Sequence, residues 1–464
     1  MSRDDALSAP RAGPVAVPDW LAPAVLLVGT VMVGGMLGTL IRPLFVLGCG
    51  AVGWYAWRKG PAAHVYSVLL LFAFAPFARR IVDLSLGFDY GSLMLVGPLL
   101  AILVPAVDLL PLFSRHARLD PRLSPLVAVL LCIAYAAVLT IFRGNWSDAA
   151  AGVLKWGAPL VYAAALVVAA RRDEVLRAAA SAFLVILPVM GLYGIYQYVD
   201  PPAWDRYWMQ FASILSAGLP VPYGVRTFST MNGPASYATF TAAGLLLVWS
   251  LRPGWLSALL ATPALMGLKL SQFRTAWIAL ALGILFCLLF AATRRRAGVL
   301  LAGIAVAGLV ALAIPPFADV IGERLASLGQ GGQDDSAQER LEQYVTLWNM
   351  PDSSVAGMGF TTTDVGVAGA MAIDGMVIAC WLLMGIPVGL ICLFSFVWPI
   401  ASAAAAAARE RSTEAVAVGA FALGALAQLP LANLGSGEIG FLFWALVVQF
   451  SPAAPALRQA RGRR

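Results

Sequence analysis

The chain has 464 residues, of which 60% are hydrophobic and only 12% charged, with a mean hydropathy of +0.82. A soluble globular domain carries roughly a quarter charged residues, so this balance excludes an ordinary soluble enzyme. The net charge of +7 does not point to nucleic acid, because the basic residues gather in the connections between apolar runs.

Residues 1–19 are polar and rich in Pro and Ala, and the first apolar run begins near Trp20. That run has the length of a span rather than of a signal core, so 1–19 reads as a cytoplasmic tail. Apolar runs of crossing length recur to residue 451. They predict an all-α, polytopic helical bundle with a single transmembrane domain over 20–451. About 14 spans are expected, near 20–40, 43–57, 62–78, 91–113, 124–142, 151–170, 178–199, 233–251, 255–270, 275–292, 298–317, 375–398, 413–432 and 437–451. With the N-terminus cytoplasmic, Arg58/Lys59, Arg115/Arg118/Arg122, Arg171/Arg172/Arg177, Arg252, Arg294–Arg296 and Arg409/Arg411 all fall inside. The basic tail, 452–464, is cytoplasmic in the same assignment. Two outer loops are long, 200–232 and 318–374.

The five cysteines, Cys49, Cys132, Cys287, Cys380 and Cys392, lie inside apolar runs without metal-ligand spacing. They read as small buried hydrophobes, and neither a disulfide framework nor a metal site is expected.

A minority of arginines falls on the outer side, against the usual bias, and needs a reason. Arg79 and Arg80 end the third span; they can contact a lipid phosphate or pair with Asp83. A polar, aromatic loop (WDRYWMQ, 204–210) precedes Val225–Tyr237, VRTFSTMNGPASY. That stretch sets Arg226, Ser229, Thr230 and Asn232 at the mouth of a helix whose first turn suits Pro234. Free N–H groups there and an arginine fork suit a phosphate, while a capped polar loop is the plainer alternative. Arg274 stands in an outer turn, SQFRTAW, flanked by Ser271, Gln272 and Thr275. A simple turn would use Gly, Asn or Pro instead, which suggests a ligand site.

In the long loop, Ser336 and Glu339 have capping-box spacing, and Leu341, Tyr344, Val345 and Trp348 recur at helical spacing. The expected amphipathic helix lies on the membrane surface or covers a cavity, and Arg340 sits beside its stripe. VAGMGF (355–360) then allows a close turn. Asp374, at the mouth of the 375–398 span, suits a helix N-cap, and equally a general base that deprotonates a sugar hydroxyl. Glu438, in NLGSGEIG at the outer end of the last span, can bind substrate or pair with an arginine. Charges in mid-span are almost absent, which speaks against an ion-coupled transporter.

The ordered pieces YGIYQY (193–198), AWDRYWM (203–209), VRTFSTMNGPASYA (225–238), SQFRTAW (271–277), QERLEQYVTLW (338–348) and VAGMGF resemble the O-antigen ligase/polymerase family of bacterial envelope enzymes. The resemblance covers roughly residues 150–400. It implies glycosyl transfer from an undecaprenyl-pyrophosphate-linked oligosaccharide at the outer leaflet of the bacterial inner membrane, without a cofactor. It places Arg226 and Arg274 where the family holds the donor pyrophosphate, and Arg340 at the arginine of the long-loop helix. Asp374 stands where the family's ligases have a histidine, which tips the expectation toward a repeat-unit polymerase over a ligase. Arg79, Arg80, Ser229, Asn232, Ser271, Gln272 and Glu438 complete the expected substrate-binding set. The partners implied are the lipid-linked oligosaccharide and membrane lipid, with room for a chain-length regulator. A non-enzymatic transporter or flippase of lipid-linked sugars is the reading from another class.

Overall fold

A computed structural model describes residues 18–110, 120–212, 215–312 and 375–450, together with 342, 344–345, 348–349 and 355–360. Its regular structure is helical, and the only strand-type bridge among the described residues is an isolated one between Gly218 and Val225. In chain order the α-helices are α1 (Leu21–Leu37), α2 (Ile41–Lys59), α3 (Pro61–Leu86), α4 (Val96–Leu103), α5 (Ser124–Phe142), α6 (Trp146–Ala169) and α7 (Arg172–Val199). There follow α8 (Ala203–Phe211), α9 (Pro234–Leu251), α10 (Trp255–Leu270), α11 (Arg274–Leu288), α12 (Ala291–Leu312), α13 (Met376–Glu410), α14 (Thr413–Gln428) and α15 (Gly437–Val447).

The all-helical membrane class is borne out; the count of about 14 spans is not confirmed. Seven helical stretches among the described residues are long and apolar enough to cross a membrane: Leu21–Lys59, Pro61–Leu86, Pro121–Phe142, Trp146–Ala169, Arg172–Val199, Pro234–Leu251 and Met376–Glu410. Five more are apolar but shorter. The expected span 91–113 is not one helix where it is described. It breaks into two 3-10 turns on either side of α4, because Pro105 has no N–H to continue α4. The WDRYWMQ stretch, expected as a loop, forms the helix α8, whose Asp205 and Trp208 share the buried face. The expected span 298–317 begins earlier, as α12 from Ala291, since Ala and Arg extend a helix readily.

Helices α3, α7 and α9 form the buried centre, and α7 meets α10 backbone to backbone. A Cβ placed on Gly191 would lie 2.3 Å from the carbonyl carbon of Pro263, so only glycine permits this approach. Close packing between apolar helices in a membrane depends on such contacts, because hydrophobic transfer contributes little there.

Helix α13 is interrupted. Gly385 has φ 72° and ψ 173°, outside helical space, and Pro387 follows it. The break frees carbonyls of the preceding turn, and VAGMGF supplies their donors. Met358 N–H donates to Leu382 O at 2.7 Å and Gly359 N–H to Leu383 O at 2.9 Å. Phe360 N–H donates to Thr140 Oγ1 at 2.6 Å, while Tyr135 and Arg143 hold the carbonyls of Ala356, Gly357 and Met358. Irregular backbone is tolerated at this depth only when protein satisfies it in this way. Two members of the expected amphipathic stripe, Tyr344 and Trp348, also pack on α13: Tyr344 joins Ile378 and Leu382, and the Trp348 ring stands edge-on to Trp381 at 6.2 Å. Ser336, Glu339, Arg340, Leu341 and the tail 452–464 lie outside the described residues.

Candidate functional site

The loop after α8 carries VRTFSTMN, and a buried polar network fixes its path. Arg80, on α3, has no exposed surface. Its guanidinium donates to Met231 O at 3.1 Å and to Ser229 O, and its Nε lies 3.2 Å from Asp205 Oδ1. The guanidinium also faces the ring of Phe228 at 4.9 Å. Asp205 Oδ2 accepts from Tyr193 Oη and from Gln197 Nε2, both at 2.6 Å. Gln197 Oε1 in turn accepts the N–H groups of Phe228 and Ser229, at 3.0 and 2.8 Å. Tyr193 and Gln197 are four residues apart in α7, hence on one helix face, and α8 brings Asp205 to them.

This network accounts for an unusual backbone. Ser229 has φ 51°, a left-handed conformation that costs a non-glycine residue energy and survives only where the surroundings over-determine it. Here all its polar atoms are engaged, with Oγ donating to Met190 O at 2.6 Å. Gln272, in SQFRTAW, has φ 55°. The segments that carry the two strained residues are joined by a backbone hydrogen bond. Thr227 N–H donates to Leu270 O at 3.1 Å, joining the loop before α9 to the turn between α10 and α11. Two motifs that are distant in sequence thus share one end of the bundle. Sequence reading missed Gln197 and Tyr193 as organisers of this end; their signal was the i, i+4 spacing inside YGIYQY followed by the acid of AWDRYWM.

Beside this junction lies a cavity of about 380 Å³. One wall is apolar, with Phe72 and Pro76 from α3 and Pro98 and Leu99 from α4. The other is polar, with Lys155, Asn232, Ser236, Asn433, Ser436 and Glu438. Phe273, between Gln272 and Arg274, also lines it. The polar wall is held rigidly. Thr239 Oγ1 donates to Gln428 Oε1 at 2.7 Å, the Trp156 ring lies against Gly435, and Phe441 stacks on Phe72 at 4.8 Å.

The expected site residues divide accordingly. Asn232 and Glu438 meet in the cavity. Arg226 is exposed in the loop that the network shapes, and Arg274 opens α11 next to the cavity residue Phe273. Ser271 is buried, its Oγ donating to Leu268 O at 2.6 Å. Arg79 and Arg80 are buried and paired. Arg79 Nε donates to Asp83 Oδ2 at 3.1 Å, and Asp83 also accepts from Arg42 at 3.0 Å. Arg79 Nη2 donates to Asp89 O at 2.6 Å. Arg340 and Asp374 lie outside the described residues. Gly375, where description resumes, packs on Pro430, and Met376 N–H donates to Leu429 O at 2.7 Å, beside the cavity residues Leu431 and Ala432.

No curated protein matches the chain. The family model described as O-Antigen ligase matches residues 256–375, from α10 to the foot of α13. This matched segment contains SQFRTAW and VAGMGF and ends at Gly375, just before α13. The match supports the resemblance to the O-antigen ligase/polymerase family, and the long apolar helices fit a multi-pass membrane protein.

Proposed function

We propose that the chain transfers an oligosaccharide from undecaprenyl pyrophosphate to an acceptor hydroxyl at the outer leaflet, and that the acceptor is a second lipid-linked glycan. The observation that carries the reading is the junction of VRTFSTMN and SQFR beside a cavity with one apolar and one polar wall. A lipid-linked sugar has the same two-sided character. Arg226 and Arg274 hold the pyrophosphate, with Arg340 assisting; arginine stays protonated and binds phosphate bidentately. The acceptor oxygen attacks the anomeric carbon as the bond from that carbon to the pyrophosphate oxygen breaks, and the electron pair leaves with undecaprenyl pyrophosphate. Fixed positive charge stabilises the leaving group, and positioning supplies much of the remaining acceleration. The sequence offers two carboxylates for the acceptor proton, Asp374 and Glu438.

Transfer to a different acceptor, such as lipid A-core, is the second reading, favoured by the description of the matched family model. The test is a transfer assay in liposomes with a lipid-pyrophosphate oligosaccharide from the native host, with products sized on a gel. A ladder of lipid-linked glycans, lost in Arg226→Ala and in Arg274→Ala, supports the polymerase. Product formed only on addition of a foreign acceptor establishes the ligase. Full activity in both arginine variants refutes the arginine mechanism, and movement of the lipid-linked sugar between leaflets without transfer makes the chain a flippase.

A further inference from the structure

Lys155 is the feature that the family motifs leave unexplained. It stands well inside α6, a helix long and apolar enough to cross a membrane. Its side chain is exposed, and an ionisable group on such a helix calls for a partner or a polar cavity. No ion pair or hydrogen bond engages Lys155 among the described residues, and it lines the cavity. Glu438 lines the same cavity and is likewise without a partner among the described residues. Asn232 Oδ1, also in the wall, is buried and accepts no hydrogen bond. An exposed lysine, a half-exposed carboxylate and a buried, unsatisfied amide oxygen therefore line one space, opposite an apolar wall.

The chemistry of the set is that of a saccharide site: a cationic donor, a carboxylate acceptor and an amide that can do both. The backbone that carries them is fixed by packing. Trp156, next to Lys155, packs against Gly435, and Pro159 packs against Gly440 in the first turns of α15. The first turn of α15 is thereby set relative to α6, and with it Glu438. Phe441, one turn further on, stacks on Phe72 of the apolar wall.

We propose that this cavity is the acceptor-sugar subsite, with Lys155 and Asn232 orienting the saccharide and Glu438 taking the proton from the attacking hydroxyl. The inference rests on the glycosyl-transfer reading above. The proton passes from the acceptor hydroxyl to the Glu438 carboxylate as the new glycosidic C–O bond forms. The bond to the pyrophosphate oxygen breaks, and its electrons leave with the lipid pyrophosphate. No further reactant is required.

The test uses the full-length protein in liposomes, with the lipid-pyrophosphate oligosaccharide as donor and the same saccharide on a short lipid as acceptor. Glu438→Gln keeps the shape and the hydrogen-bonding reach but cannot take the proton. Its kcat should fall about a hundredfold or more, the usual worth of a positioned base. The residual rate should lose the acid-side decline of the wild-type pH profile. Lys155→Met, similar in volume, should raise the acceptor KM roughly tenfold, as expected for a charged hydrogen bond, with the donor KM unchanged. Asp374→Asn should leave the acid-side decline in place, whatever its effect on kcat. Thermal unfolding in detergent identifies any variant that fails to fold, and Glu438→Asp then replaces Glu438→Gln, with partial rescue of kcat expected. The proposal is overturned if Glu438→Gln keeps the wild-type rate and pH profile, or if Asp374→Asn alone abolishes the acid limb. A wild-type protein that transfers no sugar refutes the functional reading itself, which is a different result from an active Glu438→Gln.

Discussion

Replacing Arg80 by methionine tests whether the polar network holds the site loop. The side chain is fully buried, and its removal has three separable consequences. Asp205, also fully buried, loses its ion-pair partner and keeps only Tyr193 and Gln197. Breaking a buried pair from one side costs roughly 3–5 kcal/mol. The carbonyls of Ser229 and Met231 lose their donor, and each such orphan costs about 1–3 kcal/mol. The sum is comparable to the ~5–15 kcal/mol that holds a typical domain folded, so the single variant should be severely destabilised. Asp205→Asn alone should be milder, because the amide can still accept from Tyr193 and Gln197. Combining Arg80→Met with Asp205→Asn removes the unpaired charge, and the double variant should be less destabilised than the sum of the two singles by about 1–3 kcal/mol. Unfolding by titration with a denaturing detergent gives the four stabilities of the cycle. Limited trypsin digestion at Arg226 reads the loop directly and should accelerate in Arg80→Met before global unfolding. Additive stabilities and unchanged cleavage at Arg226 would refute the argument that Arg80 fixes this loop.

Gln197→Leu should abolish transfer while costing only about 1–3 kcal/mol of stability, because two loop N–H groups lose their shared acceptor; a variant with wild-type turnover would contradict this. Gly385→Ala should destabilise by about 2 kcal/mol or more, since a Cβ there would lie 2.1 Å from Val355 O in a backbone that favours glycine. Its melting temperature is the readout, and Tyr135→Phe, which removes one hydrogen bond to the same turn, should lower it by less. Gly191→Leu should force α7 and α10 apart and prevent accumulation of folded protein, as scored by size-exclusion chromatography. Arg172→Ala serves as a control: its bond to Glu410 at 2.7 Å is partly exposed, so stability should change by no more than about 1 kcal/mol.

Much of the architecture was legible in the residues because hydropathy and punctuation are local. The bounds of the 124–142 and 255–270 runs coincide with α5 and α10. Pro61, Pro234 and Gly60 mark helix starts and stops where proline and glycine chemistry puts them. The 91–113 run misled because its mean hydropathy says nothing of Pro105 interrupting the hydrogen-bond ladder. The WDRYWMQ stretch misled because its polar residues alternate with aromatics, and the helical face emerges only when Asp205 and Trp208 have something to pack against. For the site, VRTFSTMN and SQFRTAW were visible as motifs, and their adjacency was not.

From its sequence alone, the protein was determined to be a helical membrane protein with polar motifs at helix ends, and its family resemblance was legible in the order of those motifs. These properties depend on neighbours within a few turns of chain, where the period of a helix and the desolvation of an apolar run operate. Tertiary structure alone decided that Arg80 meets Asp205, that Thr227 is tied to Leu270, and that Lys155, Asn232 and Glu438 share one cavity. The reason is the range of the forces involved. The energy of a buried charge depends on its distance to a partner and on the dielectric around it, and both are set by how remote helices pack.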